Sequence, residues 1–312
     1  MSATTGSSGS SGSSGSITRP LDPSATLATH EERSIARRRS SFRRYRPAIV
    51  PGGILLILAL SAILAPLIAP YPPNALDIPH MLAGPTWAHP LGTDQLGRDQ
   101  LSRVLYGGRT TMLMSLIAMI GVIALGLLVG VMAGYFGGRI DMIVSTFLTV
   151  LLSLPSLLMT LAILGILGPS TTSLLIALVG AGWVSHARIF RASILSLREQ
   201  LYVDAAVSMG AGSSRIVIRH LIPNLLTTIV VLATLDFGAI ILTVTSLSFL
   251  GLGVQPPTAD WGTMLNDARQ YFGQFPLLVL VPGICITVAA LAANLLGDAI
   301  RDLVDVGYHA RH

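Results

Sequence analysis

The sequence predicts an all-α, polytopic membrane protein with six transmembrane helices. Three observations carry this prediction. Of 312 residues, 52% are hydrophobic and 11% are charged, and the mean hydropathy of +0.69 is too high for a soluble domain of ordinary composition. Uncharged runs long enough to cross a bilayer recur along the chain. Arginine is concentrated in alternate connecting segments, as the positive-inside rule requires of a multi-spanning chain.

Residues 6 to 16 read GSSGSSGSSGS, a low-complexity tract that cannot bury a core and is expected to be a disordered linker. EERSIARRRSSFRRYR at 31 to 46 then sets seven arginines directly before the first apolar run. Nucleic-acid binding is one reading of such a segment; a cytoplasmic membrane anchor is the more usual role of basic residues abutting a hydrophobic run. Residues 1 to 47 thus form an amino-terminal segment, 48 to 300 the six-helix membrane domain, and 301 to 312 a cytoplasmic tail.

A spanning helix needs about 20 apolar residues. Such runs occur at 49–69, 110–134, 142–167 and 276–296. A shorter run, 171–185, extends through Ala187, and 225–250 is long but contains Asp236. With the amino terminus inside, the inner segments hold Arg19, the anchor arginines, Arg139, Arg188, Arg191, Arg198, Arg215, Arg219, Arg301 and Arg311. The outer loops hold Arg98, Arg103, Arg109 and Arg269. Both termini are therefore expected in the cytoplasm, together with residues 186 to 224. Pro155, Pro282, Gly126, Gly130 and Gly180 fall inside spans, where close helix packing is the default role and a gating hinge the alternative.

Several chemistries are excluded by composition. All 20 basic residues are arginine, so there is neither a P-loop lysine nor a Schiff-base lysine. The single cysteine, Cys285, lies in an apolar run and cannot form an intramolecular disulfide or a thiolate cluster. Ser185 and His186 are neighbours that would point to different sides of a helix, which argues against a nucleophilic pair.

The segment YVDAAVSMGAGSSRIVIRHLIPN, 202 to 224, separates two apolar runs. Residues 203 to 209 suit two helical turns, Gly210 and Gly212 permit a bend, and Ser213 or Ser214 can cap a second helix running to Pro223. Val217, Ile218, Leu221 and Ile222 share one arc, bordered by Arg215 and Arg219. The arc fits a protein groove or the bilayer surface equally. Ala205 and Ala206 favour the groove, since small residues allow close approach but give a membrane little apolar area.

DAA at 204 to 206, Gly210, and RHLIPN at 219 to 224 resemble the cytoplasmic EAA loop of ABC importer permeases. HPLGTDQLGRD at 89 to 99, GYFGGRID at 134 to 141, SLSFLGLGVQPP at 246 to 257 with WG at 261 to 262, and NLLGDAIRD at 294 to 302 extend the likeness over residues 45 to 305. Together they resemble the C-type permease subunit of dipeptide, oligopeptide and nickel importers. That resemblance implies a coupling helix at 202 to 224, with Asp204, Ala205, Ala206, Gly210, Arg215, Arg219 and Pro223 as contacts to an ATPase. It also implies a homologous B-type permease, two cytoplasmic ATPase subunits or domains, an extracytoplasmic solute-binding protein and a surrounding lipid bilayer. No nucleic acid is expected as partner. No cofactor is expected on this chain, ATP and Mg2+ residing on the ATPases. Asp204 stands where Glu is usual, Ile222 where Leu is usual, and Val244 where many relatives carry Glu. Asp236 is then the intramembrane acid to consider for the pathway, with a structural pairing to a neighbouring helix as the alternative.

In the outer motif HPLGTDQLGRD, Asp94, Arg98 and Asp99 suit internal ion pairs and helix capping better than a metal site, because recognisable ligand spacing is missing. Trp261, after the rigid Pro256-Pro257 pair, could seat at the membrane interface. The rival classes are a secondary carrier, which would usually carry several intramembrane ionisable residues, and a membrane enzyme, which would need convergent catalytic groups.

Overall fold

The computed structural model describes the backbone of residues 47–309 and the side chains of 47–303; the Gly/Ser tract and the arginine anchor lie outside the described residues. Helix α1 (Pro47–Ile63) is apolar but short, at about 26 Å by helical rise. Pro66, with no N–H to donate, falls in the first turn of the following α2 (Ala65–Ile68), so the first predicted span is interrupted near Leu64.

Helix α3 (Gln100–Phe136) is 37 residues long. It begins ten residues before the predicted Thr110 because Asp99 caps it, its carboxylate accepting the Ser102 N–H at 2.8 Å. It stops at Gly137, whose φ of 63° only glycine adopts without strain.

The third predicted span, 142 to 167, is not one helix. It consists of α4 (Gly138–Leu152) and α5 (Ser156–Leu167), bent by 87° at the break. Pro155 is the cause: it holds an extended ψ of 127° and cannot continue the hydrogen-bond ladder from α4. Of the two roles open to Pro155, packing is therefore the wrong one; it redirects the chain.

Helix α6 (Thr171–Arg198) runs well past Ala187, so much of the connection expected after the fourth span is helical. After α7 (Leu201–Ser208) and α8 (Ser213–Ile216) comes a π-helical turn (Val217–Leu221), then α9 (Ile222–Phe249). Beyond α9, α10 (Trp261–Ala268) precedes α11 (Leu277–His309), which passes through Pro282 and carries the expected tail as helix to His309. Among the described residues, four helices are long and apolar enough to cross a membrane, and the bent α4–α5 pair makes five; α1 is a further, shorter apolar helix.

The main contact is α3 along α6, with α9 along α11 and α9 also against α3. Gly126, Gly130 and Gly134 bring the α3 backbone onto α6. A Cβ at Gly126 would stand 2.6 Å from the His186 Cβ, and one at Gly130 would stand 2.7 Å from the Ala187 carbonyl oxygen and 2.8 Å from the Phe190 Cβ. In lipid, where hydrophobicity supplies little force between helices, such small-residue seams provide the packing. The default read from the sequence holds at these positions.

Trp261 is not exposed to face a membrane interface but is buried inside the protein. It is 2% exposed, packed with Val104, Met264 and Ile286, and its Nε1–H donates to the Val104 carbonyl at 2.9 Å. The reason lies on α3, where Gly107 and Gly108 leave a bare surface that the indole covers. Beside it, buried Asp260 caps α10 and accepts from the Thr111 hydroxyl at 2.6 Å, tying the outer loop to α3. Burial pushes its carboxyl above the usual carboxylate range, while donors from Thr111, Thr263 and Gly262 act in the opposite direction.

Candidate functional site

Two regions carry candidate functional side chains. The first is the helix pair α7 and α8. Gly210, at φ 79°, reverses the chain after α7, as the sequence predicts. Neither Ser213 nor Ser214 caps the second helix: Gly212 occupies the N-cap position, and both serines lie in the first turn. Pro223 does not end the helix either. The Ile222 N–H bonds to the Val217 carbonyl in a five-residue π turn, and Pro223 then sits in the first turn of α9, where its missing donor is tolerated.

The pair is anchored inward by Val203, Ile216, Leu221 and Leu225, packed with Ile194, and Ala206 is buried as well. Asn224 Nδ2 donates to the Tyr202 hydroxyl at 3.1 Å, linking α7 to α9. Ala206 is therefore small because its own chain packs on it, and is not available as a partner contact. Asp204, Ala205, Gly210, Arg215, Arg219 and Pro223 are all exposed. With them are Met209 and Leu201, 81% and 86% exposed. The expected apolar arc is split: Leu221 faces the core, while Val217, Ile218 and Ile222 line a groove against Leu128 and Met132 of α3. The wider π turn breaks the 100° spacing on which the arc was drawn.

The second region is a cavity of about 500 Å³ between the α4–α5 break, α6 and α9. Its wall is mostly aliphatic, with the hydroxyls of Ser156, Thr160, Ser185 and Thr243 and two ionisable groups, His186 and Asp236. His186 Nε2 pairs with Asp236 Oδ2 across α6 and α9. His186 Nδ1 lies 3.1 Å from the Gly182 carbonyl and 3.4 Å from the Ser185 hydroxyl. The carbonyl can only accept, so Nδ1 carries hydrogen and is unavailable as a base toward Ser185. Broken spans at membrane depth are tolerated where they line a cavity, and they mark binding sites in transporters.

Asp236 was legible as the one acid in the fifth span. His186 was not assigned a role from the sequence, although a second ionisable residue within an apolar run is the signal for its partner. The structural pairing of Asp236 with a neighbouring helix is present, to His186 of α6, and the same side chain also lines the cavity. Val244 is fully buried in the core with Met114, Leu164 and Leu174, away from that cavity.

Near the helix-pair end of α6, Arg191 forms a two-pronged ion pair with Asp141 of the GGRID stretch, its Nη2 lying 2.8 Å from Oδ2. In the loop before α3 the HPLGTDQLGRD residues form the expected ion pairs. Arg98 Nε donates to Asp94 Oδ2 at 2.6 Å, Arg103 Nε lies 3.4 Å from the same oxygen, and Asp267 lies 3.6 Å from Arg98. His89 Nδ1 meets Asp99 at 2.9 Å. These side chains brace the loop below α10.

A multi-spanning helical chain that lines a mostly aliphatic cavity bearing one ionisable pair and carries a structured helix pair at one end has the make-up of a membrane transport subunit. Residues 126–308 match the family model described as binding-protein-dependent transport system inner membrane component, and residues 35–85 match that of the N-terminal TM domain of oligopeptide transport permease C. The chain belongs to the family of binding-protein-dependent transport system inner membrane components. It is 39% identical over 252 residues to the nickel transport system permease protein NikC of Escherichia coli (strain K12), covering 81% of this chain and 91% of that protein. It is also 39% identical over 263 residues to the dipeptide transport system permease protein DppC of Alkalihalophilus pseudofirmus, covering 84% and 86%. The di/tripeptide transport system permease protein DppC of Pseudomonas aeruginosa is 38% identical over 262 residues, covering 81% and 86%. The motif resemblance and the multi-pass helical class are borne out, and the helix pair and all of the cavity's lining residues except Val122 fall within residues 126–308.

Proposed function

We propose that this chain, with a homologous B-type permease, forms the pathway by which an ATP-binding-cassette importer takes up dipeptides or oligopeptides. The observation that carries this reading is the continuity of α8, the second helix of the pair, through the π turn, with the helix bearing Asp236. Of two ATPases attached to the permease pair, one docks against Asp204, Ala205, Gly210, Arg215, Arg219 and Pro223 of this chain, and the two hold the ATP and Mg2+. A solute-binding protein delivers cargo from the outer face. ATP binding closes the ATPases, the paired coupling segments move together, and the cavity turns outward; cargo shifts that equilibrium through its different affinity for the two states. Nickel is the second reading, favoured by the likeness to NikC.

Purified alone in liposomes, the chain is expected to hydrolyse no ATP and accumulate no solute. Adding the partner permease, the ATPases and the binding protein is expected to give uptake. Uptake by the chain alone under a proton gradient would establish a secondary carrier instead.

Both termini lie in the cytoplasm in this proposal. In a Cys285→Ser background, cysteines at exposed Ser214 and exposed Thr258 are expected to react with an impermeant maleimide from opposite sides of sealed cells. Equal labelling of both from outside would reject the topology.

A further inference from the structure

The cavity pair has a chemistry that the aliphatic packing around it does not require. Among its described lining residues, His186 and Asp236 are the only ionisable groups. His186 is largely buried, its side chain 10% exposed, whereas that of Asp236 is 30% exposed. Because Nδ1–H is committed to the Gly182 carbonyl, one proton is shared between Nε2 and Oδ2. The pair therefore carries no net charge whichever atom holds that proton. Asp236 Oδ1 has no hydrogen-bond partner among the described residues and belongs to a side chain that lines the cavity. No arginine contributes to this wall.

A carboxyl group within a membrane-spanning helix, held through one oxygen and open through the other, offers that second oxygen to a cation arriving from the cavity. We propose that Asp236 Oδ1 docks the ammonium group of the cargo, and that His186 is a positioning residue that fixes the carboxylate through Oδ2. The proposal rests on the permease reading and names the chemical class of cargo that this wall accepts: an amine-bearing organic cation, with the neighbouring hydroxyls of Ser185 and Thr243 available to the rest of the molecule.

The test uses the assembled transporter in proteoliposomes. Asp236 is labelled with the apolar reagent dicyclohexylcarbodiimide and quantified by mass spectrometry, with glycinamide or N-acetylglycinamide as competitor. Glycinamide is expected to slow labelling at least fivefold, and the acetylated form, which lacks the ammonium, to leave it unchanged. Equal protection by both, protection by neither, or an Asp236 that does not react at all would overturn the proposal. In uptake of dialanine, Asp236→Asn should lose tenfold or more while receptor-stimulated ATP turnover persists. His186→Ala should raise the apparent KM, and His186→Gln, whose amide can still donate to Oδ2, should recover most of that loss. Loss of assembly by the asparagine variant would leave the labelling experiment to decide. Failure of the permease reading is distinct, because the wild-type complex would then show no receptor-stimulated ATP hydrolysis.

Discussion

Replacing Gly130 by leucine is expected to yield a chain that enters the membrane but does not form a stable transporter. The new Cβ would meet a backbone oxygen of α6 at 2.7 Å and the Phe190 Cβ at 2.8 Å, and neither belongs to the end of a flexible side chain. Relief requires α3 and α6 to separate along their whole seam, which also carries Gly126 and Gly134. Overpacking in an adaptable core costs about 1–3 kcal/mol. Here the backbones themselves are in contact, so the effect belongs at or above the top of that range. Gly165→Leu is the control, since a Cβ there meets nothing within 4 Å. Thermal unfolding of the purified complex separates the two. A Gly130→Leu complex that melts with the wild type would show that the seam does not hold the fold.

The second large effect is expected at the helix pair. Gly210→Val puts a β-branched residue at φ 79°, a region that such residues avoid. Nothing lies within 4 Å of the new Cβ, so the perturbation is conformational and falls on the turn joining α7 to α8. Asp204→Lys reverses an exposed charge without touching the buried anchors Val203 and Ala206. Both variants should insert normally, bind their ATPases less well and separate ATP turnover from uptake. Ser208→Ala, at an exposed position, should behave as wild type. Losing one partner of a desolvated polar contact at an interface costs about 2–5 kcal/mol, enough to be seen in both assembly and flux. Wild-type uptake and ATP turnover in both Gly210→Val and Asp204→Lys would mean that the segment only rests on the membrane.

How far the sequence reached depended on whether a feature was local. The apolar runs, the positive φ at Gly210 and the ion pairs of the 89 to 99 loop depend on neighbours in the chain, and all were legible. Pro155 was visible too, but whether a proline kinks a helix or ends it depends on what receives the redirected chain. Here that is the cavity beside α6 and α9. Trp261 was misplaced because its site is made by Gly107 and Gly108, more than 150 residues earlier. Two adjacent glycines on a membrane helix were the sign that a large ring covers them. Ala206 was assigned outward because its small size suits close approach from either side, and periodicity over two turns does not choose between them. The five-residue turn at Val217–Leu221 has no sequence signature apart from Pro223, which reads equally as a stop.

The absence of a break at Pro223 gives the molecule a ruler. Ser213 to Phe249 is one helical rod, and Asp236 stands thirteen residues beyond Pro223, roughly 20 Å along the axis. A position on such a rod is fixed by phase as well as by distance. One residue inserted between Asn224 and Asp236 would advance the carboxylate by only about 1.5 Å but swing it about 100° around the axis, out of reach of His186. Seven inserted residues would restore the heading to within about 20°, at the expense of roughly 10 Å of added length. The stretch between the cytoplasmic end and the cavity can therefore change its side chains far more freely than its residue count.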